Sequence, residues 1–303
     1  MRTRTAAAGT MPRIAPLVAA AVLALPACSA VAGGGPPDPS AAPPPSADAS
    51  APAAPGEGGS GDGTGETAAP EGPLAGTTVV IDPGHNGGNE DAPDRIGELV
   101  EAGHGRKACD TVGAETDAGY PEHAFNWDLS RRLRDHLEEQ GAEVVLTRES
   151  DEGVGPCITE RAQIGNEARA DAAISVHADG GPSSGRGFHV IAPGVLEGYT
   201  DDIAERSYQL ALHLREGFEE GTGQPRADYI AEDGLDKRTD LGGLNLSDVP
   251  KVFLEAGNMS NSEDAARMAD AEWREKAAEA VAAGISGYLQ EQQDGAAGQA
   301  DAG

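Results

Sequence analysis

The chain has 303 residues, with 51 acidic and 22 basic side chains and a formal net charge of -29. Such a surface would not neutralise phosphates, and no basic stripe interleaved with aromatics is present, so nucleic acid is excluded as a partner. The length suits one core, and with many of the prolines ahead of Thr77 a single folded domain of roughly 200 residues is expected.

Arg2, Arg4 and Arg13 precede or flank an apolar run over 14–25, and small residues follow, the layout of a secretory signal peptide over 1–30. The run is too short for a mature transmembrane span. Leu25-Pro26-Ala27-Cys28 resembles a bacterial lipobox, in which Cys28 would carry lipid and hold the chain at the extracytoplasmic face of the membrane. Because Pro26 departs from the commonest lipobox pattern, cleavage near Ala30 or Ala32 and plain secretion to the cell wall is the alternative. Residues 31–74 are rich in Pro, Gly, Ala, Ser and acidic groups, cannot form a core, and read as a disordered linker.

The folded domain is expected over 75–290, with a low-complexity, disordered tail over 291–303. Its first element is the β-branched run Thr77-Thr78-Val79-Val80-Ile81, which reads as a buried strand stopped by Asp82-Pro83-Gly84 and followed by His85. Residues 86–121 are glycine-rich, charged and aperiodic; a loop of that length calls for a functional reason, here a wall of a cleft. A helix then opens at Pro121-Glu122, repeats Phe125, Leu129, Leu133 and Leu137 at one-turn spacing, and ends at Gly141. A strand over 142–148, a helix over 159–169 and a second apolar strand ending in His177 follow.

Residues 188–192 read as a further strand and 201–218 as a helix, after which 221–249 is polar and glycine-rich, a second rim. Lys251-Val252-Phe253-Leu254-Glu255 is a third strand that ends on an ionisable group. Ser260-Asn261-Ser262-Glu263 is read as a capping box, and a last helix over 271–290 closes the domain. Strands alternating with helices imply an α/β fold, a single domain with a mostly parallel twisted sheet and helices on both faces.

In such sheets ligands bind outside the carboxyl ends of the strands, where His85, His177 and Glu255 are delivered together. Two histidines and a carboxylate at one edge form a metal-hydrolase pattern, since catalytic zinc takes three His or carboxylate ligands and leaves a position open. His85, Glu122 and His177 make such a ligand set, with Glu255 left to handle the proton. At this level Glu122 has two readings, a ligand or a carboxylate favoured by a helix N-terminus. His123 is its rival as ligand, but neighbouring helix side chains diverge by about 100°, so only one of the two can aim at the metal. His104, His136, His189 and His213 read as structural or surface residues, Arg148 and Arg161 as ion-pair formers, and Asp82 as a candidate to orient a metal-bound histidine.

Cys109 and Cys157 read as a disulfide, because export places them where it persists; two unpaired thiols are the alternative.

The ordered set of motifs resembles the zinc-dependent N-acetylmuramoyl-L-alanine amidases of the type 3 class, in their actinobacterial and mycobacterial branch. It runs from Val80-Ile81-Asp82-Pro83-Gly84-His85 through Glu122 with Asn126, Leu146-Thr147-Arg148, Arg161 and Asn166 to Ile174-Ser175-Val176-His177-Ala178. Leu244-Asn245 and Val252-Phe253-Leu254-Glu255-Ala256-Gly257-Asn258 complete it. The resemblance implies one Zn2+ per domain on His85, Glu122 and His177, and Glu255 as the catalytic glutamate. It also implies hydrolysis of the amide between N-acetylmuramic acid and L-alanine of the stem peptide.

Peptidoglycan or a muropeptide is the expected partner, the membrane is reached only through a lipid on Cys28, and a monomer is expected. Asp179 stands where the family often carries asparagine and, with Arg238 in the late polar region, is a candidate substrate contact. A catalytically silent or activator-dependent peptidoglycan-binding lipoprotein, or a zinc peptidase acting on another cell-wall amide, are the alternatives; the intact Glu255 favours turnover.

Overall fold

The computed structural model describes residues 71–300; the expected signal segment, Cys28 and nearly all of the linker lie outside the described residues. In chain order the elements are β1 (Thr78–Pro83), α1 (Pro93–Ile96), β2 (Leu99–Glu101), β3 (Arg106–Ala108), α2 (Glu122–Glu139), β4 (Glu143–Leu146), α3 (Ile158–Ala168) and β5 (Ala172–Asp179). They continue with β6 (His189–Pro193), α4 (Ala204–Thr222), β7 (Leu235–Arg238), α5 (Gly242–Asn245), β8 (Lys251–Asn258), α6 (Ser262–Ala269) and α7 (Ala271–Ala300).

Six strands form one sheet in the order β4-β1-β5-β8-β6-β7. β4, β1, β5 and β8 are parallel, β6 runs antiparallel to β8, and β7 is parallel to β6. The sheet is therefore mostly parallel, and the carboxyl ends of β1, β5 and β8 meet at one edge. Alternation along each strand divides the side chains between two faces. Val79 and Ile81, Ile174 and Val176, and Val252 and Leu254 join Phe125, Leu129 and Leu133 of α2, Leu210 and Leu214 of α4, and Val281 and Ile285 of α7 in one buried core.

The other face of the sheet is built differently. Val80 and Ala173 form only a small cluster with Ala170 and Val249. Asp82, Ser175 and Lys251 share that face and are buried. Asp82 binds Arg161 at 2.9 Å, Lys251 at 3.1 Å, Thr147 at 2.7 Å and Ser175 at 2.8 Å. Burial works against its charge, but Lys251 and Arg161 prevail and hold the carboxyl well below the usual carboxylate range. A charged group in such a place is tolerated only when fully paired.

Several boundaries differ from the sequence expectation. Residues 86–121 contain α1 and a two-stranded hairpin, β2 with β3, whose three-residue strands are too short to show a period. The polar stretch 221–249 likewise holds β7 and α5. Folded structure begins before residue 75, because Leu74 is fully buried in the core and its amide bonds Gln140 O at 2.9 Å. The cap of α6 is Asn261 rather than Ser260, its side chain accepting from the amides of Glu263 and Asp264. α7 passes residue 290 and runs to Ala300, since Glu, Gln and Ala in that stretch are strong helix formers and Glu291 reaches His213 at 2.8 Å.

Cys109 and Cys157 are joined in a disulfide, 48 residues apart in sequence. Replacing both by serine is expected to lower the unfolding free energy by about 4 kcal/mol in the chain-entropy account of a loop of this size. The denaturant midpoint reads this directly, and an unchanged midpoint would remove the bridge from the stability of the fold.

Candidate metal centre

β1 ends at Pro83, and Gly84 keeps one further ladder bond, its amide donating to Val176 O at 3.0 Å. His85 then adopts φ +59, a left-handed conformation that a residue with a side chain takes only when its surroundings enforce it. Arg161 enforces it here, donating to Pro83 O at 2.7 Å and to His85 O at 3.1 Å. Arg148 adds a bond to Pro83 O at 2.9 Å.

His177 comes from β5, the strand next to β1, and Glu122 is the first residue of α2. The ligand atoms of His85, Glu122 and His177 all lie within 4.8 Å of one another. Glu122 Oε1 is 3.3 Å from His85 Nε2 and 2.9 Å from His177 Nδ1. The buried carboxylate is held in turn by the amides of Ala114 at 2.7 Å and Ala178 at 3.2 Å, and by Asn126 Nδ2 at 3.3 Å. The His85 and His177 rings meet edge to face at 4.9 Å, and Phe253 stacks on His177 at 5.1 Å.

Asp110, which the sequence reading did not single out, accepts a hydrogen bond from His85 Nδ1 at 3.1 Å. Asp82, the expected partner of a histidine, is instead committed to Arg161, Lys251, Thr147 and Ser175. The one signal for Asp110 in the sequence is its place beside Cys109. His123 is turned away to Asp151 at 2.8 Å, so of the two neighbours at the start of α2 it is Glu122 that faces the histidines.

Glu255 of β8 lies in register with His177 of β5 and with His189 of β6. It is half-buried, and its Oε2 is screened from solvent with no hydrogen-bond partner. Burial, then the charges of Glu122 and Asp179, push its carboxyl well above the usual range. Glu122 moves the other way: burial opposes its charge, yet His85 and His177 hold it well below its ordinary value. Burial disfavours the imidazolium of His85, but Glu122 and Asp110 outweigh burial and raise its pKa to about 10. A positive charge is thus strongly favoured between Glu122 and Asp110.

The two candidate substrate contacts are already engaged within the protein. Asp179 follows a shift of register after His177 and accepts from the Tyr229 hydroxyl at 2.9 Å. Arg238 grips Asp240 through two bonds of 2.7 and 2.6 Å, and Lys107 of the hairpin reaches the same carboxylate at 3.3 Å. Tyr229 lies in the aperiodic stretch, and no spacing rule in the sequence would have pointed to it.

Two imidazoles and one carboxylate, with the outer nitrogen of His85 bonded to Asp110 and the second oxygen of Glu122 bonded to the amide of Ala114, are the donor set of a three-ligand catalytic zinc site. The residues present therefore fit a zinc ion. A family model described as N-acetylmuramoyl-L-alanine amidase matches residues 79–287. The chain belongs to the N-acetylmuramoyl-L-alanine amidase family. It is 45% identical over 219 residues to the N-acetylmuramoyl-L-alanine amidase Rv3717 of Mycobacterium tuberculosis, covering 71% of this chain and 88% of the relative. Among solved structures, the amidase Ami1 of Mycobacterium smegmatis is similar with a TM-score of 0.68 and 43% identity, over 72% of this chain and 99% of that one. The amidase AmiC2 of Nostoc punctiforme matches with a TM-score of 0.53 and 28% identity, over 72% and 98%.

Within this amidase domain Gly84 has a steric duty. A Cβ built on it would sit 2.2 Å from His177 Cε1, inside any tolerable contact. Gly84→Ala is expected to displace the His177 ring and lower both metal content and turnover while leaving secondary structure intact. Zinc stoichiometry and circular dichroism on the same preparation check it, and normal zinc content would show that the ring has room to move.

Proposed function

We propose that the chain is a zinc-dependent peptidoglycan hydrolase that cleaves the amide between N-acetylmuramic acid and the L-alanine of the stem peptide. The observation that carries this reading is Glu255, a carboxylate of raised basicity beside the His85, Glu122 and His177 cluster. His85, Glu122 and His177 would hold the ion. Zinc held there supplies Lewis acidity, which polarises an amide carbonyl and makes water a competent nucleophile near neutral pH. Glu255 takes the proton from the attacking water and delivers it to the amide nitrogen as the carbon–nitrogen bond breaks, leaving a lactyl carboxylic acid and a free α-amine. Its environment suits that task, because a base raised toward working pH can both accept and return a proton. Arg238 would meet a substrate carboxylate only by exchanging it for Asp240, and Asp179 with Tyr229 would line the side of Glu255.

The signal-like segment and the disulfide support an extracytoplasmic location, with lipid on Cys28 and the expected linker ahead of the folded domain as a tether. Among the described residues no helix is long and apolar enough to cross a membrane. Incubating the protein with purified muropeptides, with chelator and then with added zinc, tests the reading by mass spectrometry. Release of intact stem peptide that stops on chelation and returns with zinc is expected. Trimming within the peptide would make the protein a peptidase, and binding without cleavage would leave it a silent or activator-dependent relative.

A further inference from the structure

His85 lies beyond the end of β1, in a left-handed conformation, so the sheet ladder does not fix its ring. What holds it comes from elsewhere in the chain. Asp110 Oδ1 and Thr111 O each lie 3.1 Å from Nδ1, and two strong acceptors at one nitrogen require a proton there. Nε2, which faces Glu122, is then the nitrogen left to bind a metal. Asp110 is itself held: its Oδ1 accepts from the amide of Thr111 at 2.7 Å and its Oδ2 from Arg161 Nη2 at 3.1 Å. The same Arg161 nitrogen donates to His85 O, so one guanidinium grips both the backbone of His85 and the carboxylate on its ring.

The disulfide closes this arrangement. Asp110 directly follows Cys109, and Arg161 lies one turn into α3 from its cap, Cys157. The amide of Ile158 also donates to Cys109 O at 2.9 Å, so the two segments are joined by both a covalent and a hydrogen bond. Within its own loop Asp110 is tied by the bonds of Cys109 to Glu98 O and of Asp110 to Ile96 O; the disulfide adds the covalent link to α3 beside the Ile158 and Arg161 hydrogen bonds.

We infer that Asp110, Arg161 and the Cys109–Cys157 disulfide form one positioning unit that sets the metal-binding nitrogen of His85, so that metal affinity depends on a covalent bond remote from the ligands. The inference rests on the zinc reading above and adds positioning residues to it. Zinc affinity is measured by competition with a chelator, and the ring by the solvent-protected Nδ1 proton of His85 in nuclear magnetic resonance. Asp110→Asn should weaken zinc by about 10- to 100-fold, the range outer-shell partners carry, and broaden or lose that proton. Asp264→Asn, which alters a buried carboxylate bonded to the amides of Gly187 and Asn258, should leave both unchanged.

Replacing both cysteines by serine should also weaken zinc, and adding Asp110→Asn in that background should cost less than it does in the disulfide-bonded protein. Zinc affinity within about threefold of the unaltered protein for Asp110→Asn would overturn the inference, as would strictly additive effects of the two changes. If the unaltered protein binds no zinc, the zinc reading fails instead. The protected Nδ1 proton and its loss in Asp110→Asn then still decide whether Asp110 orients the ring.

Discussion

Glu255→Gln is expected to leave zinc content at the level of the unaltered protein and to lower muropeptide hydrolysis by about 10^2- to 10^4-fold, the span that general acid–base groups supply. The substitution is nearly isosteric and removes the carboxylate proposed to carry the proton. Glu255 is not among the three residues whose ligand atoms cluster, so metal binding should survive. Its Oε2 has no partner to lose, and burial together with Glu122 and Asp179 already disfavours its charge. The neutral amide should therefore be tolerated, and a small gain in thermal stability is expected. Turnover and zinc are measured on one preparation; retained hydrolysis would mean that another group moves the proton.

Glu255 and Glu122 are like residues whose environments push their basicities in opposite directions. Both lie at the same edge of the sheet. Glu122 receives two backbone amides, Asn126 and two imidazoles, and is held ionised. Glu255 receives no bond at Oε2 and is pushed toward its neutral form. In the proposed mechanism one faces a cation and the other exchanges a proton, and a separation of basicities is the sign by which such roles are told apart.

His85, His177 and Glu255 were legible in the sequence because each lies near the carboxyl end of a short apolar strand, and such ends converge at one edge of a parallel sheet, although β5 and β8 run on past His177 and Glu255 to Asp179 and Asn258. Glu122 was legible only as a choice between two readings. A carboxylate in the first turn of a helix needs no metal, and the geometry that separates it from His123 is the contact of His123 with Asp151. Asp110 and Tyr229 were not legible, since they sit in stretches without a period, and their partners lie 25 and 50 residues away in sequence. The same holds for the β2 and β3 hairpin, whose strands are shorter than any repeat that could reveal them. The core helices α2 and α4 showed their apolar spacing plainly, whereas the extension of α7 was missed because residues 291–298 bury nothing.

His177→Ala is expected to yield protein with substoichiometric zinc after dialysis and with hydrolysis below detection. Two ligands remain, and catalytic zinc sites rely on three. The loss should exceed the ~10- to 100-fold effect of an outer-shell partner, because the change removes a donor rather than its orientation. It also removes the ring stacked on Phe253 and the partner of Glu122 Oε1 at 2.9 Å, leaving His85 as the remaining imidazole beside that carboxylate. His177 is half-buried at the rim of a cavity of about 320 Å3, so the space it vacates opens to water and the fold should persist. Zinc per protein is read by atomic absorption and folding by the thermal midpoint. A folded variant with one zinc per chain would show that His177 is not a ligand, and the centre would then have to be rebuilt around His85 and Glu122 with a donor from another residue.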